Sequence, residues 1–141
     1  MFRILVAVDG SESSDRAVAH LLKKLGWYRE KAEVHLLNVQ AALPGAVARF
    51  VASDQIEGFH REQGEAALAS ARAILDGGSV DYVTHIGVGE PAEVIALYAK
   101  EKAVHQIVMG TRGLGGVAGM VMGSVTTKVL GLTDIPVLLI R

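Results

Sequence analysis

Short apolar runs alternate with helix-period segments along this chain of 141 residues. No other feature of the sequence restricts its fold as strongly. Phe2 to Val8 is almost continuously apolar and is stopped by Asp9-Gly10, as suits a strand buried on both faces of a parallel sheet. Val18, Leu21, Leu22 and Leu25 then fall at i, i+3, i+4 and i+7, one face of an amphipathic helix. Ser11 or Ser13 can cap its start, Glu12 and Asp15 suit its first turn, and Gly26 stands near its end. Glu33 to Val39 reads as a second strand, followed by a loosely structured stretch from Gln40 to Ala52 broken at Pro44-Gly45.

The alternation continues to the carboxyl end. Asp54 with Glu57 resembles a capping box for a long helix to about Leu75, ended by Gly77-Gly78. Its expected inner face is Ile56, Phe59, Ala66, Ala67, Ala73 and Ile74, with His60, Arg61, Glu62 and Glu65 on the solvated side. Asp81 to Val88 is a third strand. Pro91 sits where a first helical turn tolerates it, ahead of Val94, Leu97 and Tyr98. His105 to Met109 is a fourth strand, Ser124 to Leu130 a last helix, and Ile135 to Ile140 a last strand. Strands that alternate with helices call for one parallel sheet covered on both faces, with right-handed crossovers. No repeat, linker or low-complexity segment divides the chain, so residues 1–141 are expected to form a single domain.

The segment from Gly110 to Ser124 carries the chemistry. It follows the fourth apolar run, contains six glycines, and leads into the last helix. Glycine lets backbone N–H groups approach an anion closely, and a helix start adds unpaired donors and a positive dipole end. Arg112 is the one charged side chain there, and no acid is present to repel a phosphate. A glycine-rich loop that binds nothing would have the same composition.

Spacing narrows the choice. Two residues separate Gly110 from Gly113, and nine separate Gly113 from Gly123-Ser124. This pattern resembles the nucleotide-binding signature of the universal stress protein family, in its ATP-binding branch. Ile4-Leu-Val-Ala-Val-Asp9-Gly-Ser-Glu-Ser-Ser is similar to that family's opening strand and turn. Gly87-Val-Gly89-Glu-Pro91-Ala is similar to its turn before a helix, and Ile135-Pro136-Val-Leu-Leu-Ile-Arg141 to its closing strand. The resemblance spans residues 2 to 141.

The resemblance implies a single open five-stranded parallel sheet of order 3-2-1-4-5, with helices on both faces. The implied class is the Rossmann-like, adenine nucleotide alpha hydrolase-like α/β fold. In that order the chain reverses direction between strands 1 and 4, and ligands bind in the crevice at such a reversal. The resemblance also implies a nucleotide site. Asp9 would face the ribose or a phosphate-bound Mg²⁺, and Val39 would read the adenine edge through its main chain. Met109 and Gly110 would contact the ribose side. Arg112, Gly113, Gly123, Ser124 and Val125 would surround the phosphates. Other readings stay open: Asp9 as a turn residue capping the first helix, Val39 as plain strand burial, Arg112 as a solvated loop charge.

The expected ligand is ATP or another adenine nucleotide, with Mg²⁺ as an accompanying ion. The expected assembly is a homodimer through the C-terminal strand, read by a downstream protein partner. The expected role is a stress-response sensor or regulator with little or no hydrolysis. A slow ATP hydrolase and a non-nucleotide-binding interaction module of the same fold are the rivals.

Composition excludes several other classes. There is no Walker A loop, since no glycine of the segment is followed by Lys-Ser or Lys-Thr. Gly113-Leu-Gly115-Gly-Val-Ala118 fits a dinucleotide fingerprint but follows the fourth strand, and strand 2 ends without the acid that would hold a ribose. With no cysteine, disulfides, thiolate metal sites and cysteine nucleophiles are ruled out. The five histidines are far apart in sequence and form no ligand pair at helical spacing. They are expected at the surface or at strand ends rather than in a metal site. A net charge of −1 argues against broad binding to nucleic acid or anionic membrane. No apolar run reaches the ~20 residues of a membrane helix and no signal peptide is recognisable, so a cytoplasmic protein is expected.

Overall fold

The computed structural model describes residues 1–112 and 122–141. Five parallel strands, β1 (Phe2–Ala7), β2 (Ala32–Gln40), β3 (Tyr82–Val88), β4 (Gln106–Gly110) and β5 (Val137–Ile140), form one sheet. Their spatial order is β3-β2-β1-β4-β5, as expected. The helices are α1 (Glu12–Lys24), α2 (Gly45–Ala48), α3 (Ser53–Gly77), α4 (Pro91–Glu101) and α5 (Ser124–Leu132). A short 3-10 turn, Leu25–Trp27, closes α1 at Gly26.

Each central strand feeds two cores because successive side chains point to opposite faces. Ile4, Val6 and Val8 join Val34, Leu36 and Val108 beneath α1 and α3, with Ala17, Val18, Leu21, Leu68, Ala71 and Leu75. Leu5, Leu37, Ile107 and Met109 face the other way, under Ala92, Ile95 and Ala99 of α4 and Val129 of α5. Two-sided burial is why the strands are apolar runs rather than alternating patterns.

The local signals at helix starts act as the residue types require. Ser11 caps α1, its Oγ accepting from the Ser14 N–H at 3.2 Å. Glu90 caps α4 with Pro91 behind it. The Glu93 N–H donates to the Glu90 carboxylate at 2.8 Å, which with Lys128 alongside holds that carboxyl below its usual range.

Helix α3 departs from its expected face. The buried stripe is His60, Gly64, Leu68, Ala71 and Leu75, whereas Ala66 and Ala73 are exposed and Phe59 is 46% exposed. His60, expected on the solvated side, is buried. The reason is Gly64: a Cβ there would lie 2.6 Å from the Ile86 side chain. The helix therefore presses its glycine against β3, and the turns on either side follow it inward. The cap also differs. The helix starts at Ser53 with Ala52 in the cap position, and Gln55, not Glu57, reaches back to the Ala52 N–H at 3.4 Å. The stretch from Gln40 to Ala52 contains the single turn α2.

Candidate functional site

Strands β1 and β4 run side by side with Val6 opposite Val108, so their carboxyl ends open together at the reversal of strand order. Three segments meet there: the turn after β1, the exit of β4, and the start of α5.

The turn after β1 is built by a carboxylate and a glycine. Asp9 Oδ1 accepts the Ser11 N–H at 2.9 Å, an Asx-type turn that sets the entry into α1. Gly10 lies at φ +82°, a left-handed conformation that side chains other than glycine rarely adopt. Its α-carbon packs toward Ala67 of α3, where a Cβ would sit 3.4 Å from the backbone. The turn reading of Asp9 thus holds for one carboxylate oxygen, and the half-buried group still stands at the mouth of the crevice.

The exit of β4 is clamped from both sides. Gly110 passes so close to α1 that a Cβ would meet the Ser13 carbonyl oxygen at 2.7 Å. The next turn is tied down by the Arg112 N–H donating to Ser13 Oγ at 3.3 Å. From the other face, buried Thr126 of α5 donates its hydroxyl to the Gly110 carbonyl at 3.2 Å. The Thr111 N–H donates to the Ile140 carbonyl at 3.0 Å.

The Gly123 N–H in turn donates to the Thr111 carbonyl at 2.5 Å. This bond brings the two ends of the glycine-rich segment together. Gly123 is the N-cap residue of α5, at φ −79° and ψ 170°. Its carbonyl accepts from both the N–H and the hydroxyl of Thr127. Ser124 is exposed on the first turn, and Val125 packs half-buried against the core beneath α4.

The structure therefore brings Asp9, Gly110, Arg112, Gly123 and Ser124 to one end of the sheet. Met109 is buried in the core directly below, and Val39 stands half-buried at the end of β2. Gly113 lies outside the described residues. The Arg112 side chain is exposed, and its backbone N–H, not its guanidinium, makes the contact with α1.

Three residues that shape this end were not singled out from the sequence as site builders. Ser13 and Thr126 clamp Gly110 as described. Asn38, 2% exposed, donates to the Val8 carbonyl at 2.8 Å and accepts from Gln40 Nε2 at 2.6 Å. It thereby ties the residue before Asp9 to the residue before Val39. One polar residue inside the run Leu36-Leu37-Asn38-Val39 was the available signal, because a buried amide must find partners. Asn38→Ala is expected to cost about 1–3 kcal/mol by leaving the Val8 carbonyl without its donor. Urea unfolding measures that cost.

These features define a doubly wound α/β protein with its crevice at the switch point between β1 and β4. The sequence pattern of the Universal stress protein family matches residues 1–141, and the chain belongs to that family. It is 35% identical to Universal stress protein YxiE of Bacillus subtilis, over 99% of this chain and 98% of that one. Among solved structures, hypothetical protein MJ0577 superposes with a TM-score of 0.83 at 26% identity, covering 99% of this chain and 94% of that one. The universal stress protein from Archaeoglobus fulgidus in complex with dAMP shares the fold, with a TM-score of 0.71 at 22% identity over 100% and 98% of the two chains. Among the described residues, no helix is long and apolar enough to cross a membrane.

Proposed function

We propose that this protein binds an adenine nucleotide in the crevice between β1 and β4 and acts as a regulator rather than a fast hydrolase. The observation that carries this reading is the closure of Thr111 onto Gly123 by a main-chain hydrogen bond, at the same end of the sheet as the Asp9 turn. That closure sets the amino end of α5 beside the ends of β1 and β4. The first-turn N–H groups of a helix have no intrahelical acceptors and favour an anion, and Ser124 adds an exposed hydroxyl. The dAMP complex of the Archaeoglobus fulgidus protein supports adenine as the base.

In this reading the backbone at Gly123, Ser124 and Val125 holds the phosphates, together with Arg112 and Gly113. Val39 offers its main chain to the base, Met109 and Gly110 flank the ribose, and Asp9 faces the ribose or a phosphate-bound Mg²⁺. The residues present fit such a ligand, since the crevice combines one carboxylate with backbone donors and small residues.

Rapid phosphoryl transfer needs a positioned water and stabilisation of transition-state charge, for which an arginine finger alone supplies 10³–10⁵. No Glu, Gln or His occurs between Gly110 and Ser124. Binding without rapid turnover follows, with the nucleotide state read through conformation by a partner protein. The outer position of β5, apolar from Val137 to Ile140, supports an edge-to-edge homodimer.

Mass spectrometry of small molecules released from freshly purified, denatured protein is the direct test, followed by calorimetry with AMP, ADP and ATP with and without Mg²⁺. An adenine nucleotide in the released fraction is expected. Absence of any adenine compound, together with no binding heat at about millimolar ligand, would favour the interaction-module rival. Single-turnover phosphate release at ~1 s⁻¹ or faster would favour the hydrolase.

A further inference from the structure

Two histidines fifty positions apart in the sequence meet on the sheet face covered by α4. His35 of β2 and His85 of β3 lie with ring centroids 5.1 Å apart and planes 12° from parallel. Their nitrogens Nδ1 and Nε2 lie 2.8 Å apart. On the far side of the same ring, His35 Nε2 lies 2.6 Å from Glu33 Oε1. His35 is 7% exposed, and Tyr98 of α4 covers His85 edge-on at 5.7 Å.

The protons in this row can be counted. An ionised carboxylate only accepts, so His35 Nε2 carries the hydrogen toward Glu33. On a neutral ring, His35 Nδ1 is then an acceptor, and His85 Nε2 must donate into it. One proton added at His85 Nδ1 leaves every bond in place. A second proton on the pair puts two N–H groups against each other across 2.8 Å, on two cationic rings, and the bond is lost.

We propose that Glu33, His35 and His85 form a proton-sensitive latch that joins β2 to β3 beneath α4 at neutral pH and opens when the histidine pair takes up its second proton.

The surrounding charges support this polarity. Burial, the neighbouring His35 and the ammonium of Lys102, just past the end of α4, together hold the His85 imidazole below its usual range. The hydrogen bond from His35 holds the Glu33 carboxyl below its usual range, helped by the His35 charge, by Arg3 of β1 and by the N-terminal ammonium. Tyr98 contributes its ring, and the Arg3 guanidinium is engaged by the Ala103 carbonyl at 3.0 Å.

The direction of the pH effect follows from linkage. A histidine depressed in the folded state binds fewer protons folded than unfolded, so stability is full above the unfolded value of ~6.5 and declines as pH falls through it. The depressed Glu33 carboxyl acts in the same sense but over a lower range. Its contribution is present above the ordinary carboxylate value and is lost below it. Between neutrality and about pH 5 His85 therefore dominates the local response.

The test uses the nucleotide-free full-length protein, so it does not depend on the nucleotide reading. Long-range ¹H–¹⁵N NMR of the imidazoles at about pH 7.5 should show His35 locked as the Nε2–H tautomer. On acidification both rings should report two separated titration steps. In His85→Gln, whose side chain cannot be protonated, the second, coupled step should be absent. The fall in Tm between about pH 7.5 and pH 5 should be smaller than in the wild type. Independent single-step titrations in the wild type, or an identical Tm loss in the variant, would overturn the proposal. Should His85→Gln not fold, the wild-type titration decides alone.

Discussion

Replacing Gly123 by valine is expected to weaken adenine-nucleotide binding at least ~100-fold, equivalent to about 2.7 kcal/mol, while the fold survives. The two halves of this expectation have separate causes. At φ −79° and ψ 170° the backbone of Gly123 is extended, a conformation open to any residue, and its bonds to Thr111 and Thr127 use main-chain atoms alone at that position. Valine can therefore adopt this backbone, although it caps a helix less well than glycine. Its branched side chain would occupy the space above the α5 amino end that the proposed phosphates require. Asp9→Ala should weaken binding less and reduce its Mg²⁺ dependence, because the Asx turn loses one bond while the backbone donors remain. Isothermal calorimetry with ATP reads both variants, and wild-type affinity in Gly123→Val would show that the phosphates lie elsewhere.

Gly110→Val is expected to behave in the opposite manner and to damage the fold itself. A Cβ at Gly110 would meet the Ser13 carbonyl oxygen and carbon at 2.7 and 2.8 Å, and also Ser13 Oγ. These are largely backbone atoms of the first turn of α1, so no rotamer change relieves the contact. Overpacking of this kind costs about 3 kcal/mol, or roughly 10 °C in Tm for a domain of this size. Moving α1 away from β4 would also break the Arg112–Ser13 bond. Thermal unfolding followed by circular dichroism gives the answer. A Tm within a degree or two of wild type would show that α1 can retreat from β4 without penalty.

The contrast between these two glycines shows where reading the sequence stops. Both belong to the same spaced pattern, and the pattern alone assigns both to ligand approach. Only the packed structure shows that Gly110 is needed for helix α1 to lie against β4, whereas Gly123 caps a helix. The same limit appears in α3. Its period was legible, but its phase was not, because the element that positions it is Gly64 against Ile86, and a glycine carries no hydrophobic signal. His60 reads as solvent-facing in the sequence for the same reason: a polar residue next to Arg61 and Glu62 looks exposed until the helix is rotated onto the sheet.

By itself the sequence determined the strand and helix alternation, a serine cap for α1, the proline in the first turn of α4, and the spaced glycines. These depend on residues within one or two turns of each other, where propensity and hydrogen bonding act locally. Family resemblance then supplied the order of the sheet, which no local signal contains. What only the tertiary structure decided are the contacts between distant segments: Ser13 with Arg112, Asn38 with Val8, Thr126 with Gly110, and His35 with His85. Each joins polar groups whose own segments do not name the partner. Their partners are selected when apolar burial on both faces of the sheet fixes the distance between strands and helices, and buried polar atoms must then pair with whatever that packing brings within reach.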